Sequence, residues 1–175
     1  MTELPKTKVY IDGANMFYTQ KKLGWMFDWK KVKKLLDSLY QILEIRFYIA
    51  VKDGDKGTRN FVALLEKLGF VVITKPLKMI QLELDGSRQV YKANFDVEIT
   101  RDILLDKGDF SHIILFSGDS DFASLVETLK KLGKKVSVYS SRRTLAWELK
   151  LAVSQYVFLE DLKPKIVRKT WGLTR

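Results

Sequence analysis

The feature that most restricts the fold of this chain is a short apolar run that ends in an acidic turn. Residues 113–116 are Ile, Ile, Leu and Phe, and Ser-Gly-Asp-Ser-Asp follows them at positions 117–121. The run is too short for a helix and is continuously apolar, which predicts a parallel strand covered on both faces. In open α/β sheets ligands bind beyond the carboxyl ends of such strands, where Asp119 and Asp121 lie. Alternatively, Asp119 or Ser120 could simply cap the next helix.

The same arrangement occurs a second time near the beginning of the sequence. Lys, Val, Tyr and Ile at positions 8–11 have the pattern of a strand, and Asp12, Gly13 and Asn15 follow them. A repeated acidic turn at a strand end favours a shared site over helix capping alone.

Strand and helix patterns alternate along the rest of the chain. This alternation predicts an α/β fold with three α/β/α layers and a mostly parallel central sheet of about five strands. We expect the remaining strands near residues 44–51, 70–74, 135–139 and 156–159, and the longer helices near 29–40, 61–68, 96–106, 122–132 and 142–151.

Two segments depart from the alternation. Residues 75–92 predict a β-hairpin insertion, with Asp85-Gly86 as its turn. Residues 163–175 contain five basic residues and no acidic one, so we expect a basic tail after a single domain over residues 1–162.

Composition excludes several classes of protein. The 175 residues include no cysteine, which removes thiolate zinc sites, disulfides and cysteine nucleophiles. The first residues lack a secretory-type apolar segment, and no run approaches the ~18 apolar residues of a membrane span, so we expect a cytoplasmic protein without a membrane partner. Lysine and arginine number 31 against 21 acidic residues, a net charge of +10. That excess favours a polyanionic partner, although solubility alone could also account for it.

The candidate site is a group of carboxylates at one edge of the predicted sheet. Asp12, Asp119 and Asp121 lie at strand ends, Asp53 is a weaker candidate there, and Asp96 begins a helix that returns from the same edge. Two carboxylates 4 Å apart repel each other by about 4 kcal/mol at an effective dielectric constant of 20, so protons or a cation must be present. With oxygen ligands alone, the natural cation is Mg²⁺ or Mn²⁺.

The chemistry that fits these residues is metal-assisted hydrolysis of a phosphodiester. The single histidine, His112, begins the central strand at the opposite edge, too far from Asp119 to act as its base. A hard cation would activate water there, while nearby basic residues hold the phosphate backbone. The candidate nucleic-acid contacts at the site edge are Lys52, Lys92, Ser117, Arg142 and Arg143.

Three segments of the chain resemble the signature segments of NYN domains, in the LabA/DUF88-like branch of the PIN-like nuclease superfamily. These segments are residues 11–15 (Ile-Asp-Gly-Ala-Asn), the basic residue and aspartate within 92–96, and residues 117–122 (Ser-Gly-Asp-Ser-Asp-Phe). The resemblance spans roughly residues 7–160. It implies a PIN-like fold and an Mg²⁺- or Mn²⁺-dependent ribonuclease. The resemblance assigns Asp12, Asp96, Asp119 and Asp121 to the metal and catalytic centre, with Asn15 orienting it.

Other classes fit less well or remain open. A haloacid-dehalogenase phosphatase needs Asp-x-Asp on its first strand, and Ala14 stands at the second aspartate. A Rossmann nucleotide-binding domain needs Gly-x-Gly-x-x-Gly after that strand, which is missing. A non-catalytic RNA-binding or scaffold protein on the same fold remains the alternative to the nuclease. The sequence permits a homodimer without requiring one.

Overall fold

The fold is seen in a computed structural model that describes residues 3–81, 89–92 and 94–169, with side chains described outside 78–93. Its strands are β1 (Lys6–Asp12), β2 (Gln41–Val51), β3 (Val71–Pro76), β4 (Lys78–Gln81), β5 (Gln89–Lys92), β6 (His112–Phe116), β7 (Lys135–Ser140) and β8 (Gln155–Phe158). Its helices are α1 (Gly13–Leu23), α2 (Trp29–Leu39), α3 (Lys56–Lys67), α4 (Asp96–Leu105), α5 (Ala123–Lys131), α6 (Trp147–Ala152) and α7 (Leu159–Ile166).

Six of the strands form one parallel sheet in the order β3-β2-β1-β6-β7-β8. The predicted α/β fold is therefore confirmed, with one strand more than the expected five. The chain order reverses at the pair β1 and β6, where Val9 lies opposite Ile114 and Ile11 opposite Phe116. Such a reversal leaves a crevice at the carboxyl edge of the sheet, which is the usual ligand position in open α/β folds.

Each face of the sheet carries its own hydrophobic core. Along β1, Val9 and Ile11 belong to the core on one face, and Tyr10 belongs to the core on the other. The first core is rich in aromatic residues, and Trp29 packs edge-to-face on Phe47 with ring centroids 4.9 Å apart. Burial on both faces explains why residues 113–116 of β6 are continuously apolar, since all five residues of the strand are buried.

Capping residues mark the ends of several helices. Asp28 accepts a hydrogen bond from the Lys31 N–H at the start of α2, as its position in the sequence predicts. Gly24, Gly69 and Gly133 have positive φ angles of 74°, 86° and 77°. Each follows a leucine at a helix end, so three helices end with the same left-handed glycine C-cap.

The predicted helix over residues 142–151 is wrong in its first half, because α6 begins only at Trp147. The N–H groups of Thr144 and Leu145 donate to the Ser141 carbonyl, and the Ala146 N–H donates to the Gly118 carbonyl. Residues 142–146 therefore form a turn whose backbone is held by the loop after β6, a long-range contact that helical periodicity does not encode.

The predicted tail also begins too early. Helix α7 continues to Ile166, which is buried, and Val167 forms an antiparallel bridge with Phe27. The Ile166 carbonyl accepts a hydrogen bond from the Asp28 N–H, and the Arg168 N–H donates to Met26. Residues 163–169 thus pack against the segment that leads into α2 and belong to the domain.

The expected hairpin forms a separate two-stranded antiparallel sheet from β4 and β5. Its predicted Asp85-Gly86 turn lies outside the described residues. Within the part of the chain that the structure describes, none of the helices combines the length and apolar character needed to cross a membrane.

Candidate metal centre

The carboxyl ends of β1 and β6 place two acidic loops side by side. Strand β1 ends at Asp12, which is also the N-cap of α1. Strand β6 ends at Phe116, the partner of Ile11, and the loop that follows carries Asp119 and Asp121. The predicted meeting of the two acidic turns at one sheet edge is thus what the structure shows.

Three carboxylates converge at this edge. Asp96, Asp119 and Asp121 each offer an oxygen within 4.8 Å of the others. Asp96 begins α4, and Asp121 lies in a short 3-10 turn over Ser120–Phe122. Asp96 and Asp119 are partly buried and Asp121 is exposed, so the group is open to solvent on one side.

Backbone hydrogen bonds fix the positions of these carboxylates. Asp119 Oδ1 accepts from the Asp121 N–H at 3.0 Å, so Asp119 caps the 3-10 turn as well as joining the acidic group. Capping and site membership, which compete as interpretations of the sequence, coexist here. Asn94 Oδ1 accepts from the Asp96 N–H at 2.8 Å and holds the start of α4. The role of Asn94 in holding Asp96 is not among the sequence predictions. An asparagine two residues before a helix is nevertheless a known capping signal.

Asp12 lies beside the group and is only 6% exposed. Its Oδ1 accepts from the Asn15 N–H at 3.0 Å, and its Oδ2 accepts from the Ser117 hydroxyl at 3.1 Å. Burial raises the pKa of Asp12 to about 6, and the charges of Asp96 and Asp119 add to the rise, while the two hydrogen bonds oppose it. The ionised carboxylate is therefore held in a place that disfavours its charge.

Gly118 allows the two loops to approach each other closely. Its N–H donates to Asn15 Oδ1 at 3.0 Å, which ties the loop after β6 to α1. A Cβ at position 118 would lie 2.1 Å from the Thr144 carbonyl oxygen and 2.7 Å from the Ser140 hydroxyl oxygen. Glycine is required here because a Cβ would have no space. The φ angle of Gly118 is not positive, so a left-handed backbone conformation is not the reason.

The acidic group lacks internal neutralisation. Burial raises the pKa of Asp96, and the charges of Asp119 and Asp121 increase the rise, while the Asn94 hydrogen bond and the more distant charge of Lys75 oppose it. None of Asp12, Asp96, Asp119 and Asp121 forms an ion pair with a side chain among those the structure describes. Oxygen donors alone, without an ion-pair partner among the described side chains, fit a hard divalent cation such as Mg²⁺ or Mn²⁺.

Two predicted site residues have other surroundings. Asp53 is exposed on the turn after β2 and lies outside the three-carboxylate group. Ser117 is fully buried, donates to Asp12 and accepts from the Asp119 N–H at 3.3 Å. Its predicted contact with nucleic acid is corrected by this burial, because its hydroxyl joins the two acidic loops and does not reach the surface.

Three of the predicted basic contacts, Lys52, Arg142 and Arg143, follow the carboxyl ends of β2 and β7. Lys52 is exposed directly after β2, and the side chain of Lys92 lies outside the described residues. Arg142 pairs with Asp161 at 2.8 Å and stacks on Phe158. Arg143 donates to the Lys22 carbonyl at 2.9 Å. Both arginines thus have protein partners, and their contact with nucleic acid stays a prediction.

His112 is buried at the amino edge of the sheet, at the opposite end of β6 from the acidic group. It is 3% exposed, with Nδ1 3.2 Å from the Thr7 hydroxyl and Nε2 2.8 Å from the Ser137 hydroxyl. Burial lowers its pKa to about 4, so it is neutral at physiological pH. Its partners identify it as a structural residue of the amino edge.

The fold and the acidic edge define a class of protein. This class has three α/β/α layers and a group of carboxylates where the strand order reverses, between β1 and β6. The NYN domain matches residues 6–160, and the chain belongs to the NYN domain family, within the PIN-like nuclease superfamily. The family membership that the three sequence segments predict is therefore confirmed.

Two individual proteins support this assignment. The chain is 35% identical over 164 residues to the low amplitude and bright protein LabA of Synechococcus elongatus, across 93% of this chain and 87% of that protein. It is also similar to the crystal structure of a protein of unknown function from Vibrio parahaemolyticus, with 26% identity and a TM-score of 0.78. That match covers 96% of this chain and 99% of the other, so the two share the whole fold.

Proposed function

We propose that this protein is a metal-dependent ribonuclease that hydrolyses RNA phosphodiester bonds at the acidic edge of its sheet. The observation that carries the proposal is the convergence of Asp96, Asp119 and Asp121 within 4.8 Å, beside the buried Asp12. A purely structural group of this kind would destabilise the fold by charge repulsion without a compensating contact.

Each residue has a defined part in this proposal. Asp96, Asp119 and Asp121 would hold Mg²⁺ or Mn²⁺, and Asp12 would complete the ligand set from its buried position. The bound cation would activate a water molecule and neutralise charge on the phosphate. Asn15 and Ser117 position Asp12 through their hydrogen bonds to its two oxygens.

Charge supports a nucleic-acid substrate. The chain carries a net charge of +10 although its candidate site is acidic. Basic residues outside the site would bind the phosphate backbone, while the cation offsets the carboxylates at the point of cleavage. RNA is the expected substrate because the resemblance to NYN domains implies a ribonuclease, and DNA is included in the test below.

The test separates cleavage from binding in one variant. In Asp119→Asn, cleavage of labelled single-stranded RNA in Mn²⁺ should fall at least about 100-fold, because a charge that holds the cation is lost. RNA affinity should stay constant or increase, because negative charge is removed from a site that receives phosphates. Asp53→Asn, which removes an exposed carboxylate outside the group, is the matched control and should leave both quantities unchanged.

The opposite result identifies a non-catalytic RNA-binding protein. If the aspartates accept hydrogen bonds from base edges, Asp119→Asn should weaken RNA binding. A wild-type protein that cuts no single-stranded RNA, structured RNA or DNA in Mn²⁺, together with weaker binding by Asp119→Asn, would refute the nuclease proposal.

A further inference from the structure

A cavity of about 270 Å³ lies along α1, the helix that begins directly after Asp12. It lies between α1, the start of α3 and the segment after α7, and Gly13 is one of its lining residues. Gly13 directly follows Asp12, and a Cβ at position 13 would lie 2.3 Å from the Tyr48 carbonyl oxygen. The cavity therefore reaches the tightly packed start of α1, where Asp12 is the N-cap.

The walls of the cavity are aromatic and well supported. Phe27 and Trp29 pack edge-to-face with ring centroids 5.7 Å apart, and Trp29 packs on Phe47 in the same manner at 4.9 Å. All three residues are buried and line the cavity. Rings locked against one another in this way form a surface that does not need to rearrange to receive a flat apolar group.

The rim combines an exposed ring with positive charge. Phe17 lines the cavity although 48% of its surface is exposed, and Lys21 lies 4.5 Å above its ring. Arg168 is exposed and lines the cavity from the segment after α7. Among the described residues that line this cavity, none is acidic.

One polar side chain reaches the cavity from inside. Gln20 is buried, and its Oε1 accepts from the Phe27 N–H at 2.7 Å. This bond fixes the orientation of the amide, because a backbone N–H requires an acceptor. Within the part of the chain that the structure describes, the Gln20 NH₂ group is therefore the end that can donate to a ligand.

We infer that this cavity receives one unstacked base of the RNA strand that is bound at the candidate metal centre. The inference rests on the proposed function, which it extends by specifying a single-stranded substrate. Aromatic walls supply stacking, the Gln20 amide supplies a donor to a base acceptor, and the cationic rim accommodates the adjoining phosphate. Position supports the same occupant, since a base that enters beside Gly13 leaves its backbone near Asp12.

The structure offers a matched pair of residues for the test. Phe17 and Tyr18 are adjacent aromatic residues on α1, 48% and 62% exposed, and only Phe17 of the two lines the cavity. Each is replaced by alanine in full-length Asp119→Asn protein, in which we expect RNA to be cut at least about 100-fold more slowly. Fluorescence anisotropy then measures the affinity for an eight-nucleotide single-stranded RNA and for an abasic strand of equal length and charge.

We expect Phe17→Ala to weaken binding of the normal RNA roughly 5- to 100-fold, in line with the loss of one stacked base. Tyr18→Ala should change it less than about twofold, and Phe17→Ala should not affect the abasic strand. Met26→Ala, at another exposed lining residue, should repeat the Phe17 result and guards against a local folding defect. Equal effects of Phe17→Ala and Tyr18→Ala, or equal wild-type affinity for both strands, would overturn the inference.

A chain that ends at Lys169 tests a competing occupant. If removal of residues 170–175 abolishes the effect of Phe17→Ala on RNA affinity, that effect acts through the chain's own C-terminal segment and the inference is overturned. An effect of Phe17→Ala that is equally large in the shortened chain supports a base as the occupant.

Cleavage assays keep this inference separate from the proposed function. If wild-type protein cuts RNA in Mn²⁺ and Phe17→Ala has no selective effect on RNA binding, the nuclease proposal stands and the base pocket is refuted. If the protein cuts nothing but Phe17→Ala selectively weakens binding of the normal RNA, the base pocket stands and the nuclease proposal is refuted.

Discussion

Replacing Asp12 by asparagine should stabilise the metal-free protein at neutral and alkaline pH. The pKa of Asp12 is about 6 in the folded chain against 3.8 for an unperturbed aspartate, chiefly because of burial. At about 1.4 kcal/mol for each pKa unit, the ionised carboxylate destabilises the folded state by about 3 kcal/mol.

The sign follows from proton binding. Between about pH 4 and pH 6 the folded chain keeps a proton on Asp12 that the unfolded chain has released. The contribution of Asp12 to stability therefore falls as pH rises through this interval and is constant above it. Asparagine carries no charge and avoids this loss.

Hydrogen bonding reduces the expected gain. Asparagine Oδ1 can still accept from the Asn15 N–H, and its NH₂ group can donate to the Ser117 oxygen, but the charge-assisted character of both bonds is lost. The weaker hydrogen bonds cost about 1 kcal/mol, so the free energy of unfolding should rise by about 2 kcal/mol in Asp12→Asn. For a chain of this length we expect Tm to rise by roughly 4–8 °C.

The assay is thermal unfolding with a chelator present, at pH 8 and at pH 4. Asp12→Asn should exceed wild type at pH 8, and the difference should largely disappear at pH 4. Asp53→Asn, at an exposed position, should show no difference at either pH. If Asp12→Asn lowers Tm equally at both pH values, the buried carboxylate is not under electrostatic strain and the reasoning is wrong.

Three further predictions use the same unfolding assay. Millimolar Mn²⁺ should raise the wild-type Tm, and Asp119→Asn should reduce that response, because a ligand charge is lost. Gly118→Ala should destabilise the chain by about 1–3 kcal/mol, since its Cβ would overlap the Thr144 carbonyl. Gly57→Ala should cost less, because its Cβ would meet only Asp55 Oδ1, at 3.2 Å. The pKa of His112 is lowered to about 4, so its stabilising contribution is present above about pH 6.5 and lost as pH falls; His112→Gln should remove that acid-dependent loss.

Local signals were sufficient to predict the sheet and the acidic residues. The continuous apolar run of β6 reports burial on both faces, which any central parallel strand must have. The acidic turns follow β1 and β6, and parallel strands bring their carboxyl ends to one edge. Asp96 was predicted because helical periodicity places it at the start of α4.

Contacts between distant segments could not be predicted in the same way. The turn over residues 142–146 depends on the hydrogen bond from Ala146 to the Gly118 carbonyl, and Gly118 is required because the Thr144 carbonyl lies against it. The segment after α7 is ordered by pairing with Phe27. The local sequence encodes neither contact, since both depend on which distant segment of the chain packs alongside.

The electrostatics of Asp12 and the proposed metal site are two consequences of one arrangement. A buried carboxylate that is disfavoured by about 3 kcal/mol in the metal-free chain is relieved either by losing its charge or by gaining a cation. The stabilising effects of Asp12→Asn and of Mn²⁺ should therefore not be additive. Asp12→Asn should be more stable than wild type in chelator, and this advantage should shrink or reverse in Mn²⁺, because only the wild type gains the full ligand set. If the Mn²⁺ response were equal in both proteins, Asp12 would be outside the ligand set, and the cation would be held by Asp96, Asp119 and Asp121 alone.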